Sequence, residues 1–118
     1  MILLAIGDVF ADPGRKALAR WLPGLRDEVG AGLTVVNVEN VRAGRGIDRH
    51  GVQAAFEAGA DCLTTGNHVW AHRDHETLLE QDPRILRPAN YPAPCPGRGV
   101  TLVRSREGLQ VAVVNLIG

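Results

Sequence analysis

Asp8, the pair Glu39 and Asn40, and the pair Asn67 and His68 are the residues of this chain best equipped for chemistry. Each follows an apolar run: residues 2–7 deliver Asp8, residues 33–38 deliver Glu39 and Asn40, and Leu63-Thr64-Thr65-Gly66 delivers Asn67 and His68. Carboxylates and amide oxygens are hard ligands and imidazole is intermediate, so this mixed set suits Mn, Fe or Zn better than a soft metal. A carboxylate such as Glu39 can bridge two cations. Two cations about 3.5–4 Å apart clamp a phosphate and activate a water for in-line attack. His68, one residue past a ligand-type side chain, fits a general acid for the leaving oxygen.

Taken singly, each group has another reading. A lone Asp after a first strand is also a helix cap or a nucleotide-ribose ligand. Residues 37–40 fit ordinary turn chemistry, and Gly66-Asn67-His68 fits a turn with a surface histidine. Their shared place at three strand ends favours one site. His72 and His75 follow His68 at spacings of four and three, but no cysteine pair joins them; a solvated helix start is the favoured reading. Arg42, Arg45, Arg49 and Arg73 flank the site in sequence. Such arginines ordinarily solvate a surface, and Arg42 and Arg45 are the candidates for steering a phosphate. Trp70 is expected as a packed wall. The loop over 8–14 lacks G-x-G-x-x-G, so a dinucleotide site has little support.

Alternating strands and helices must position these groups. The run 2–7 reads as a strand buried on both faces. Asp12 is expected to cap a helix with Pro13 at its first position, and Leu18, Trp21, Leu22, Leu25 and Val29 form its buried stripe. Pro23 predicts a kink or restart, and Gly30 and Gly32 an end. After the strand over 33–38 comes a loop over 39–46, then a helix capped by Asp48 with Val52, Ala55 and Phe56 inward and Gly59 just past its end. A strand over 62–65, a loop over 66–71 and a short helix over 74–81 follow, with Leu78 and Leu79 inward. Residues 85–87 predict a brief strand and 88–99 a proline-rich loop. Strands over 99–104 and 109–116, joined by a tight turn at 106–108, predict an antiparallel hairpin. The order through 81 implies parallel β-α-β units, whose ligand sites lie beyond the carboxyl ends of the strands.

With 118 residues, 45% hydrophobic and 22% charged, the chain is long enough for one domain with a core. Thirteen basic residues balance thirteen acidic ones, so charge gives no support to an RNA or membrane partner. Twelve of the basic residues are Arg and only Lys16 is Lys, which keeps local phosphate binding open. Cys62 in a buried strand and Cys95 in a loop read as reduced thiols, and with no basic, secretory-type start the chain is expected in the cytoplasm. The first apolar run is too short to span a membrane.

Ile6-Gly7-Asp8-Val9, Pro13-Gly14-Arg15, Asn37-Val38-Glu39-Asn40, Gly59-Ala60-Asp61, Gly66-Asn67-His68-Val69-Trp70, Arg87-Pro88-Ala89-Asn90-Tyr91-Pro92 and Val114-Asn115-Leu116 run in order along the whole chain. Together they resemble the YmdB-like bacterial metallophosphoesterases of the calcineurin-like superfamily. The resemblance implies an α/β fold, a metallophosphoesterase-like αββα sandwich of which these residues form the amino-terminal half. It implies a two-metal phosphodiesterase using iron or manganese on cyclic nucleotides, 2′,3′-cyclic ones included and 3′,5′-cyclic ones as a further class. By motif position Asp8 would hold one metal, Glu39 would bridge both, Asn40 and Asn67 would each ligate one, and His68 would donate the proton. Further histidine ligands are then expected from a second half of a longer enzyme. An uncovered sheet face would favour self-association. Two other readings stay open: a non-catalytic truncated or degenerate domain that binds RNA or a protein, and a flavodoxin-like regulatory domain with Asp8 in an acidic pocket.

Overall fold

Four short parallel strands carry the fold, in the spatial order in which the chain makes them. The computed structural model describes residues 1–118. β1 (Ile2–Ile6), β2 (Ala31–Asn37), β3 (Cys62–Thr64) and β4 (Ile85–Leu86) form one sheet of order β1-β2-β3-β4, parallel throughout. The crossovers hold α1 (Ala11–Glu28), α2 (Arg49–Ala58) and α3 (Asp74–Gln81). Crossovers of one hand, taken always in one direction along a sheet, lay their helices on one face. The other face must find a different cover. β5 (Val100–Arg104) and β6 (Gln110–Val114) supply it as an antiparallel hairpin. The result is three layers: helices, parallel sheet and hairpin.

The pleat divides the core between those layers. Ile6, Val36, Leu63 and Ile85 lie in register across the four strands. They join Leu18, Leu22, Val52, Ala55 and Leu79 in the larger hydrophobic cluster. Leu33, Cys62 and Leu86 face the other way and pack on Val103 of the hairpin, with Val35, Val111 and Val113 at the margin.

β1 departs from the expected strand buried on both faces. It is an edge strand: Leu4 and Ile6 touch the helical core, while Ile2 and Leu3 on its flank are half exposed, Leu3 at 54%. The hairpin packs on residues of β2, β3 and β4 and leaves β1 uncovered.

α1 differs from expectation at both ends and in its stripe. Its N-cap is Phe10, not Asp12, and Asp12 pairs instead with Arg15 and Lys16 on the helix surface. The chain enters through Ala11 at φ +51°, whose N–H donates to the Asn40 carbonyl at 3.0 Å. The helix runs unbroken through Pro23, which forgoes one ladder bond to the carbonyl four residues back. Its buried face is Leu18, Leu22 and Arg26, spaced by four. Trp21 (63% exposed) and Leu25 line an open groove toward Ile6 of the edge strand instead of a packed core; Val29 is the C-cap. Gly32 belongs to β2, which starts at Ala31.

Elsewhere local chemistry decides as read. Asp48 caps α2 by accepting from the Gly51 N–H at 2.7 Å, and Gly59 ends it at φ +114°. Val52 and Ala55 are buried, while Phe56 is half-buried beneath the Arg84 guanidinium. The helix over 74–81, the brief β4 and the hairpin also stand as expected. The segment after β3 is more regular than a loop: Asn67–Ala71 forms a turn and a half of 3-10 helix.

Candidate functional site

Every donor picked out by type sits past the carboxyl end of a strand. The backbone continues the ladder beyond each strand and locks the three exits together: the Val9 N–H donates to Asn37 and the Val38 N–H to Thr64, both at 3.0 Å. Asp8, Glu39, Asn40, Asn67 and His68 therefore leave one end of the sheet side by side.

Four of them form a continuous polar run. The Asn40 carboxamide donates through Nδ2 to Asp8 Oδ1 at 2.8 Å, and its Oδ1 lies 2.5 Å from His68 Nδ1. His68 Nδ1 is 3.9 Å from Glu39 Oε2, and the His68 backbone N–H donates weakly to that same oxygen at 3.5 Å. Asn40 is buried and central, so its amide orients an acid on one side and an imidazole on the other. Glu39 is held from behind: its own N–H donates to Asn37 Oδ1 at 3.2 Å. Asn67, at the head of the 3-10 helix, is exposed and makes no side-chain hydrogen bond, which leaves its carboxamide free to turn.

Gly66 makes room for this arrangement. A Cβ built there would sit 2.5 and 2.6 Å from the two carboxylate oxygens of Glu39. Its φ of −130° is open to any residue, so clearance rather than backbone conformation requires glycine. Gly44 plays a related part against Phe10, whose ring a Cβ would meet at 2.6 Å. These glycines carry no signal of their own in the sequence, since the atoms they avoid come from distant segments.

The flanking groups are also placed. Arg42 pairs with Asp74 at 3.0 Å, and Arg45 is exposed and offers its carbonyl to His72 Nε2 at 3.0 Å. His75 bonds the His72 carbonyl and meets the edge of Trp70. Trp70 packs on the core and stands T-shaped to Tyr91, with centroids 5.2 Å apart, as a wall. An apolar groove between β1 and α1, lined by Ile6, Val9, Leu18, Trp21 and Leu22, opens beside Asp8.

The sequence profile of the "YmdB-like protein" family matches residues 4–118. The chain belongs to that family. A relative from Bacillus subtilis (strain 168), named 2′,3′-cyclic-nucleotide 2′-phosphodiesterase, is 36% identical over all 118 residues, which make up 44% of its length. Among solved structures, a protein of Thermus thermophilus superposes with a TM-score of 0.92 at 38% identity, over 100% of this chain and 45% of the other. A structure described as a novel phosphatase, from Mycoplasma pneumoniae, superposes with a TM-score of 0.87 at 26% identity, over 98% of this chain and 42% of its own. The YmdB-like chain described here thus spans under half the length of the relatives it matches.

Proposed function

We propose that this chain carries one side of a metal-dependent phosphodiesterase centre that opens 2′,3′-cyclic nucleotides. The observation that carries the reading is the run Asp8–Asn40–His68–Glu39 at the ends of three strands. The activity named for the B. subtilis relative, 36% identical, supports the substrate class.

The donor set fits divalent cations. No group of three His, Cys, Asp or Glu side chains is close enough to hold an ion by itself, so binding would draw on the carboxamide oxygens of Asn40 and Asn67 as well as on Asp8 and Glu39. Hard oxygen donors of this kind suit manganese, and iron enters only through the family resemblance. The cradle that Gly66 leaves for the Glu39 carboxylate would keep that residue free to hold a cation. Bound there, such ions supply Lewis acidity toward the phosphodiester.

The remaining chemistry is this chain's own. Asn40 fixes the His68 ring by taking Nδ1, so protonated His68 presents its other nitrogen, Nε2, to the departing ribose oxygen. One third of the His68 side chain is exposed, which leaves that nitrogen within reach of a substrate. Arg42 and Arg45 stand on the adjoining loop as phosphate-steering candidates, Arg42 after release from Asp74. A cytoplasmic setting belongs to the same reading: both cysteines are free thiols, and no helix is long and apolar enough to cross a membrane.

The test is Mn²⁺ titration of the purified chain together with hydrolysis of 2′,3′-cyclic AMP, and of 3′,5′-cyclic AMP as a second substrate. Metal binding lost in Glu39→Gln, and turnover lowered about 10²- to 10⁴-fold in His68→Ala, are the expected results. Turnover that neither substitution changes would overturn the assignment, and a parent that binds little metal and turns nothing over would mean that the remaining length its relatives carry is needed to complete the centre.

A further inference from the structure

Asn115 is a buried polar residue that the proposed chemistry leaves unused. It follows β6, and its side chain crosses to the parallel sheet. Nδ2 donates to the Thr65 carbonyl at 2.7 Å and to the Leu86 carbonyl at 3.1 Å. The Leu86 carbonyl also accepts from Thr65 Oγ1 at 2.8 Å. The backbone of Asn115 is equally committed: its N–H donates to Gly99 and its carbonyl accepts from Ala89.

Thr65 is where the chain leaves the sheet. β3 ends at Thr64, and the Thr65 carbonyl, in a buried residue, has no ladder partner. Gly66, Asn67 and His68 come next. A planar carboxamide carries two N–H bonds at a fixed angle, which suits it to span two carbonyls from neighbouring strand ends. Without it both acceptors lose a buried donor, and such a loss costs more than an ordinary hydrogen bond returns.

We infer that Asn115 is a positioning residue: it pins the β3 and β4 exits to the hairpin, and so sets where Asn67 and His68 stand relative to Asp8, Glu39 and Asn40. It makes no hydrogen bond to the proposed ligands and acts through the Thr65 and Leu86 carbonyls. The hairpin therefore does more than cover the sheet, since the residue that ends it holds the site in shape. The inference rests on the metal-site reading for its functional meaning, and its geometry is independent of that reading.

The experiment is amide hydrogen exchange by NMR, with Mn²⁺ affinity measured alongside, on the parent chain and on Asn115→Ala, Asn115→Asp and Val103→Ala. Val103 lies in the same hairpin–sheet contact and bonds nothing at the site, so it reports loosening of the hairpin alone. In the parent, the Asn115 carboxamide protons exchange slowly; free exchange there overturns the inference whatever the variants do. In both Asn115 variants, exchange at His68 and Val69 rises at least ~10-fold and Mn²⁺ affinity falls ~10- to 100-fold, the range seen when a residue supporting a ligand is lost. Val103→Ala leaves both near parent values at equal distance from its melting temperature. Asn115 variants that match Val103→Ala in exchange at His68 and Val69 overturn the inference. A parent chain that binds no Mn²⁺ counts against the metal-site reading alone, and the exchange data then decide the role of Asn115.

Discussion

Gly66→Ala is the smallest change that tests the site. The added methyl would stand 2.5 Å from a Glu39 oxygen, too close for either to stay. The backbone tolerates alanine, so the melting temperature should hold while Mn²⁺ affinity falls by ~10-fold, as for other residues that support a ligand; a thermal melt checks the first and calorimetric titration the second. The thiols make a second residue-scale case. Burial pushes the Cys62 thiol up to about 11, so it stays protonated and unreactive at pH 8, whereas half-exposed Cys95 can reach solvent. A thiol reagent should label one cysteine in the native chain and two after denaturation. At this scale the gathering of Asp8, Glu39, Asn40, Asn67 and His68 past neighbouring strand ends was legible, because each is a polar group that follows a strand-like run. Gly66 and Asn115 were not legible as site residues: their meaning lies in contacts with atoms 27 and 50 positions away in the chain.

The helices show where local pattern suffices and where it does not. Asp48 and Gly59 bracket α2 by capping chemistry readable from sequence alone. Asp48→Ala should lower stability by about 1 kcal/mol, seen as a fall of roughly 4 °C in thermal unfolding. α1 was harder. Its apolar residues cover more than one face, and only the neighbouring elements decide that Leu22 is buried while Trp21 is not. The connection from α3 to β4 carries a pH dependence. Asp82 accepts from the Arg84 side chain, at 2.7 Å to the outer nitrogen, and that bond holds its carboxyl below the ordinary value of 3.8. A depressed carboxyl stabilises the fold above its unfolded value, and the gain disappears as pH falls through the folded one. Asp82→Asn should therefore lower stability at pH 6 and lose less than the parent on acidification below about pH 4, measured by denaturant titration at each pH.

At the scale of the molecule, one layer is open. The hairpin buries Val103 against the sheet and turns Val100, Leu102 (66% exposed) and Val114 outward. A soluble monomer seldom exposes a large contiguous apolar patch. If the chain self-associates through this face, Leu102→Glu should shift light scattering toward monomer with little change in folding, and scattering that Leu102→Glu leaves unchanged would count against that face. Parallel β-α-β order and the hairpin were legible from alternating patterns, but the edge position of β1 was not. An apolar run looks the same whether both its faces are covered or only one.

The order β1-β2-β3-β4 has a consequence in time. Each strand pairs with the one made just before it, so no strand of this sheet waits for a distant partner, and domains fold from the amino terminus during synthesis. All five proposed donors have been made by His68, before any residue of the hairpin exists. The proposed site residues emerge first, and Asn115, the residue proposed to steady them, arrives 47 positions after His68. On the ribosome, the proposed metal-binding residues of this chain are made well before the clasp proposed to hold them in place.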